Sequence, residues 1–500
     1  MGKSLIGQIG IVAVLTILSK AGAFGKEVLL SYVFGAGANT DAYFIANAIP
    51  GLLYSGFLST IALVFLPIYT RSLLISEDRS HQIINNAILI YAGIATLLSI
   101  FCFAFADFLV NLTAPGAAQD VHDKAVTLTR IFAFGFIFSG WVGIQNAIQQ
   151  SNKSFILPIT VPVFNHAVVI IGIIISMYVG GVILVASFAV LGWALQAPIH
   201  GYLTRGFYKL APRTRLSKIF VRDLLMLSVP VFFSVFLDQI NIVIDLVLSS
   251  RLGGGAISHL SYAARLSLFF SGLFSILVSY FIFPHLTTST AQGDTKATSK
   301  VLGYGMGLVL VLTTPLLILS ITLNRELIEL IFQRGAFSAQ DAAVTAEILK
   351  FYAIGMLFVA MREVFNRLFY SDQRTIPPLV IGAISAVINV FASLYLMQFI
   401  GVAGIAAGTS IGAAAYVIMQ IAYIIRWDKN LISTDILVVG LLVILASAGM
   451  LYTVDIAKDY WADQSTVIRF ILVSGCSGFI YLLIALSAGL VFRKRLSFGS

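Results

Sequence analysis

The sequence predicts an all-α polytopic membrane protein of about fourteen transmembrane helices, arranged as two parallel six-helix halves plus two C-terminal helices. Three observations carry this. Of 500 residues, 59% are hydrophobic and 11% charged, with a mean hydropathy of +0.97; a soluble chain carries roughly 25% charged residues. Apolar segments long enough to cross a bilayer as helices, about 20 residues, recur nearly end to end. They lack the alternation over about ten residues that marks a membrane β-strand.

The spans run 5–33, 38–70, 84–111, 125–150, 155–179, 181–204, 222–250, 255–288, 301–323, 342–370, 376–398, 402–425, 434–453 and 467–492. Several have length to spare for tilting. At the start, Lys3, an apolar stretch from Ile9 to Leu18 and Ala21-Gly22-Ala23 imitate a secretory signal with its cleavage site. Lys20 stands just before that site and further spans follow, so the segment reads as an uncleaved first helix. Cys102 and Cys476 lie in apolar runs, match no metal or redox spacing, and read as packing residues.

With an even number of spans, both termini share a side. On it lie Lys3, Arg71, Arg79, Lys153, the run Arg205, Lys209, Arg213, Arg215, Lys218 and Arg222, then Lys296, Lys300, Arg374, Arg426, Lys429, Arg493, Lys494 and Arg495. The opposite loops are richer in acid, with Asp107, Asp120 and Asp123 in one and Asp455, Asp459 and Asp463 in another. The positive-inside rule then puts both termini in the cytoplasm. The formal charge of +9 reads mostly as topology, with no nucleic-acid partner implied. A second reading of the 205–222 cluster is a site for anionic lipid or a substrate pyrophosphate.

An internal repeat supports the two halves. Asn146-Ala-Ile-Gln-Gln-Ser151-Asn152 through Pro158 lies over Asn366-Arg-Leu-Phe-Tyr-Ser371-Asp372 through Pro378, a numbering offset of 220 (366 − 146) that also matches Gly135 with Gly355. Gly116 through Asp120 resembles Gly335 through Asp341, and Pro67 and Pro284 differ by 217 (284 − 67). The expected division is 1–212, 213–430 and 431–500, the last holding two appended helices and a basic tail. Six helices per half make the halves parallel and suggest alternating access about a central cavity.

Ionisable residues inside spans are costly and usually face a cavity or a partner. The first helix carries Lys20, Lys26 and Glu27. The lysines lie six residues apart, about 600° of rotation, so a straight helix keeps them on different faces. A bend at Gly22 and Gly25 would bring them together on a phosphate; otherwise both snorkel to the interface. Asp41 reads as part of an N-cap, Asn39-Thr40-Asp41, with pairing to a first-helix lysine as an added role. Asp238 and Asp245, seven apart on one face, suit a coupling ion such as a proton or sodium, or an ion pair with Arg265 or Arg251. Arg265, within Tyr262-Ala-Ala-Arg265-Leu, is the foremost candidate for holding substrate. Arg362 and Glu363 point about 100° apart and read as structural, each pairing with a neighbouring helix. Asn47, Asn146, Gln149, Gln150, Asn165, Asn366 and Asn389 suit interhelical bonds or sugar contacts, and His166 reads as a satisfied interior histidine.

Gly303-Tyr-Gly305-Met-Gly307 lies inside a span and follows no strand, so it reads as helix packing. No Walker motif, metal-ligand spacing or catalytic triad is present. The chain reads as a transporter and not an enzyme, with no cofactor, no bound metal and no ATP of its own.

Phe34-Gly-Ala-Gly-Ala-Asn-Thr-Asp41-Ala-Tyr-Phe, Phe65-Leu-Pro67-Ile-Tyr, Thr113-Ala-Pro-Gly116, Phe332-Gln-Arg-Gly335-Ala-Phe and Phe369-Tyr-Ser-Asp-Gln-Arg-Thr-Ile-Pro-Pro378 occur in the order and spacing of landmarks of the MurJ/MviN family. The chain resembles that family along essentially its whole length. The resemblance implies a fourteen-helix fold of the multidrug/oligosaccharidyl-lipid/polysaccharide exporter superfamily. It implies a flippase in the bacterial cytoplasmic membrane that moves lipid II, the undecaprenyl-pyrophosphate-linked peptidoglycan precursor, to the outer leaflet. A cationic cavity, reset by membrane potential or an ion, comes with it, as do cell-envelope synthesis proteins as partners. Lys20, Lys26, Arg265 and Asp41 are then the substrate-binding candidates, and Asp238, Asp245 and Glu27 the coupling candidates. The chain departs from the family where lysines replace first-helix arginines and where Tyr54-Ser55 replaces an arginine pair; Ser59 and Ala264 replace acids. A flippase for an exopolysaccharide or O-antigen unit is the competing reading, with an ion-coupled small-molecule antiporter behind it.

Overall fold

The structure, a computed structural model, describes residues 2–152, 154, 156–207, 218–432 and 434–493. Lys153, Lys209, Arg213, Arg215, Lys494 and Arg495 lie outside the described residues. Among the described residues every regular element is a helix. The chain packs into two compact units, residues 1–258 with 335–337 and residues 259–334 with 338–500.

The first unit contains α1 (Gly2–Phe34), α2 (Ala38–Thr60), α3 (Leu66–Leu73), α4 (Glu77–Ala104), α5 (Ala106–Thr113), α6 (Gln119–Ala133), α7 (Gly135–Ser151), α8 (Ile156–Val179), α9 (Val182–Thr204) and α10 (Lys218–Ser249). Helix α1 packs on α8, α2 on α6 and α10, and α7 on α4 and α9. The next helix, α11 (Ala256–Leu277), starts in this unit and continues in the second. The second unit also holds α12 (Phe283–Ala291), α13 (Thr295–Thr322), α14 (Asn324–Ile331), α15 (Ala339–Ser371), α16 (Ile376–Ile400), α17 (Val402–Trp427), α18 (Thr434–Tyr460) and α19 (Thr466–Arg493).

Ten of the described helical segments are long and apolar enough to cross a membrane, with α6 and α7 merged into one, 119–151. Four further stretches complete about fourteen: α1, α10, and the pairs α2–α3 and α11–α12, each pair joined by a π-helical turn. Those turns are Ile61–Phe65 and Val278–Ile282, and their first residues differ in number by 217 (278 − 61). Each precedes a proline, Pro67 or Pro284, at the start of the next helix. A proline has no N–H to offer and its ring clashes with the carbonyl four residues back. That carbonyl falls inside the π turn in both cases, and the wider turn absorbs the conflict.

The same spacing runs through both copies. The numbering offset is 218 from α4–α5 to α13–α14 (295 − 77) and 220 from α8–α9 to α16–α17 (376 − 156). At the end of α15, Gln373 N–H donates to Tyr370 O (3.1 Å) and Arg374 N–H to Phe369 O (2.9 Å), a Schellman closure with Gln373 at φ +59°. The matching bond in the first copy runs from Ser154 N–H to Gln149 O, at 2.9 Å. Compact packing does not follow the repeat boundary, because α10, the counterpart of α1 by position, packs on α2 in the first unit.

In lipid, helices associate through close van der Waals fit and interhelical hydrogen bonds, with little hydrophobic drive. The α16–α17 hairpin shows this. A Cβ on Gly404, Gly408 or Gly412 would approach Leu396, Ser393 or Asn389 within 2.8 Å. The appended helices are tied on by polar contacts: Lys458 Nζ donates to Thr322 O, Tyr481 OH to Val311 O (3.0 Å), and Arg469 pairs with Glu326 at 3.1 Å. Cys102 is buried against Ala133 and Phe136, as a packing residue should be. Cys476 is exposed on α19 instead, because the inward face of that helix is held by Val473, Ser477 and Tyr481.

Candidate substrate site

Helix α1 is continuous over 33 residues, about 50 Å. Both Gly22 and Gly25 are helical, so neither breaks α1, and Gly22 admits the His166 side chain of α8, whose carbons would lie 3.5–3.8 Å from an added Cβ. Gly22 and Lys26 are one turn apart, so Lys26 and His166 share that side of α1. Lys26 Nζ lies 3.3 Å from a Glu27 carboxylate oxygen, and Glu27 is 2% exposed. Lys20, six residues earlier, is half-buried. The helix thus carries a buried acid beside a half-buried lysine, with a second lysine about two turns away.

Asp41 is 3% exposed and caps a helix other than its own. The start of α2 is closed by Thr40, whose Oγ1 accepts from Gly37 N–H at 3.0 Å. The Asp41 carboxylate instead accepts from Gly255 N–H (2.7 Å), from Ser258 N–H (2.8 Å) and from the Ser258 hydroxyl, at the N-terminus of α11. Negative charge there also meets the positive end of the helix dipole. The expected capping role is therefore correct in kind but falls on a helix far along the chain. We expect Asp41→Asn to destabilise the protein by about 2 kcal/mol, the size of a hydrogen bond to a charged group, because one donor then faces an amide NH2. Thermal unfolding of the detergent-solubilised protein checks this; an unchanged midpoint contradicts it.

Two backbone contacts in the same unit explain recurring motifs. Gly35 (φ +65°) and Gly335 (φ +61°) bring the end of α1 against residues 335–337, where Ala336 N–H donates to Tyr32 O at 2.8 Å. Gly116 lies on the chain after α10, where an added Cβ would come within 2.9 Å of Ser250 and Arg251 backbone atoms.

Arg265 is half-buried in α11, seven residues after Ser258. Asp245 is half-buried on α10; the side chain of Asp238 lies outside the described residues. Arg362 stands over the Tyr416 ring at 5.2 Å, a contact with a neighbouring helix. Glu363 pairs along its own helix with Arg367, at 3.8 Å, instead of with a neighbour, because the two lie one turn apart. Arg367 in turn donates to Ser279 Oγ (3.0 Å) in the second π turn and lies over Phe283. Asn366 accepts from Gln420 (2.8 Å), and Asn389 from Ser393 (3.0 Å), both interhelical or intrahelical ties.

Gln149 makes an interhelical bond as expected, but sequence reading missed its partners, which form a buried network between α7 and α9. Gln149 Nε2 meets His200 Nδ1 at 3.1 Å, and the Thr204 hydroxyl donates to Gln145. The regular spacing Gln145, Gln149 with His200, Thr204 was the available signal. At the departures from the family pattern, Tyr54 packs edge-on against Trp193, ring centroids 4.6 Å apart, and Ser55 Oγ donates back to Leu52 O.

A repeated set of long apolar helices carrying mid-helix lysine, arginine and buried carboxylates, without nucleotide or catalytic motifs, defines a multi-pass membrane transporter. The chain belongs to the MurJ family: the profile of the family described as lipid II flippase MurJ matches residues 30–472. A probable lipid II flippase MurJ from Buchnera aphidicola subsp. Baizongia pistaciae is 26% identical over 98% of both chains. The lipid II flippase MurJ of Burkholderia cenocepacia is 26% identical over 80% of this chain and 79% of its own. The probable lipid II flippase MurJ of Thermotoga maritima is 27% identical over 86% and 88%. The fold matches a lipid II flippase MurJ in an inward closed conformation, with a TM-score of 0.82 at 23% identity over 97% of this chain and 99% of that one. It also matches an inward-facing multidrug resistance MATE family transporter of the MOP superfamily, with a TM-score of 0.73 at 11% identity over 84% and 98%.

Proposed function

We propose that this protein is a flippase that moves lipid II from the inner to the outer leaflet of the bacterial cytoplasmic membrane by alternating access. The observation that carries the reading is the family match over 30–472, joined to charged side chains within the long apolar helices α1 and α11. Lys20, Lys26 and Arg265 hold the substrate's pyrophosphate, since cations within reach of an apolar path suit a diphosphate. Asp41 serves the site by fixing the start of α11, the helix that carries Arg265. Glu27, Asp238 and Asp245 take part in ion coupling, and Arg362 and Glu363 stay structural. The halves 1–212 and 213–430 rock against each other, 431–500 supports the lipid tail, and both termini are cytoplasmic. Membrane potential or an ion resets the cycle, and enzymes of cell-envelope synthesis supply and consume the cargo.

Depleting the protein tests this. Lipid II should accumulate on the inner leaflet while its synthesis continues. Unchanged lipid II with another undecaprenyl-linked glycan blocked overturns the assignment of cargo.

A further inference from the structure

Beside the turn from α15 to α16 lies a cavity of about 570 Å³, bordered by Gln373, Arg374, Ile376, Val380, Ile381 and Tyr423. We propose that it holds the head group of a glycerophospholipid bearing both a phosphate and a primary ammonium, with an acyl chain running along α16.

Four features support this. The first is a fixed cation. Arg374 Nε donates to Asp372 Oδ2 at 2.7 Å, and the guanidinium lies over the Trp427 ring at 4.0 Å. An arginine has five N–H donors in a planar fork, so the group held this way still presents donors matched to phosphate oxygens.

The second is charge order. Arg374 and Asp372 are close to neutral together, which gives a purely anionic head group little net attraction. A head group with phosphate and ammonium meets the pair in complementary order, phosphate on Arg374 and ammonium on Asp372.

The third is rigidity. Gln373 holds a left-handed φ of +59° through the Schellman bonds, the sole non-glycine residue with positive φ among the described residues. Such backbone strain persists where surrounding structure over-determines it. Phe369 supports the platform, stacked on Trp427 at 6.0 Å and edge-on to Tyr423 at 5.6 Å.

The fourth is the path for the chain. Ile376, Val380, Ile384, Val387, Phe391 and Tyr395 are all exposed and repeat every three or four residues, so they form one stripe that starts at the cavity. The 19 helical steps from Ile376 to Tyr395 (395 − 376) span roughly 29 Å, close to the thickness of a hydrocarbon core, about 30 Å. The cavity lies at the N-terminal end of α16, a helix long and apolar enough to cross a membrane.

The test uses the purified full-length protein and native mass spectrometry, with phosphatidylethanolamine, phosphatidylglycerol and phosphatidylcholine of matched chains added at equal concentration. The expected result is preferential retention of phosphatidylethanolamine, whose ammonium donates hydrogen bonds. Arg374→Ala should lower that retention at least fivefold, and Asp372→Asn should turn the preference to phosphatidylglycerol. Val380→Trp fills the cavity from a half-exposed position and leaves the ion pair in place; it should lower retention equally, and it decides the matter should Arg374→Ala fail to fold. Phosphatidylglycerol or phosphatidylcholine retained as well as phosphatidylethanolamine by the unaltered protein overturns the head-group assignment. Retention unchanged by Val380→Trp overturns the site.

Discussion

Arg265→Ala should abolish transport while the protein still accumulates in the membrane. Arg265 lies half-buried near the middle of α11. A charge inside a span is costly to the fold, and Arg265's own contacts offset part of that cost, so membrane abundance is read beside transport. In the proposed role the substitution also removes a set of charge-assisted hydrogen bonds to a phosphate, which are about twice as strong as neutral ones. Losing about 3 kcal/mol of such binding corresponds to roughly a hundredfold loss of transport. Arg265→Lys keeps the charge without the planar fork and should fall in between. Growth rescue of depleted cells, read together with membrane abundance, checks this. Normal export by the alanine variant at normal abundance removes Arg265 from the mechanism.

Gly335→Ala should cost the fold more than any other single methyl in the first unit. Its φ of +61° already disfavours a side chain, and the new Cβ would come 2.2 Å from Tyr32 O and 2.8 Å from the Tyr32 ring. The carbonyl is the acceptor for Ala336 N–H, so relieving the clash breaks that bond. Strain and a lost bond together amount to roughly 3 kcal/mol or more. Two other glycines calibrate the effect. Gly253 has positive φ with nothing within 4 Å, so alanine there adds strain without a clash; Gly37 has neither. Thermal unfolding should rank the variants Gly335→Ala least stable, Gly253→Ala next, and Gly37→Ala near the unaltered protein. Equal midpoints for Gly335→Ala and Gly37→Ala contradict the account of this contact.

The architecture was legible in the sequence because its cause is local and periodic. Each span is a run of apolar residues, and nearly the same numbering offset separates Pro67 from Pro284 and Asn146 from Asn366. The prolines marked the π turns without revealing them, since the turn depends on how the preceding carbonyls are accommodated. Motif order gave the family, but the reason for the motifs was hidden. Gly35, Gly116 and Gly335 matter because another stretch of backbone lies against each. Asp41 was read against its own helix because a sequence shows nearest neighbours, while its donors, Gly255 and Ser258, stand at the far end of the first unit. The same limit concealed the Gln149–His200 and Arg367–Ser279 contacts. Gly22 and Gly25 do not break α1, which packs on α8 as one continuous helix.

The claim that this chain is a lipid II flippase is tested most directly with the purified protein in liposomes that carry fluorescent lipid II, exposed to a membrane-impermeant quencher. The account predicts that the protected inner-leaflet fraction becomes quenched in the presence of the protein, and that Arg265→Ala liposomes keep it protected. Inner-leaflet lipid II that stays protected while a different undecaprenyl-pyrophosphate-linked glycan crosses would contradict it.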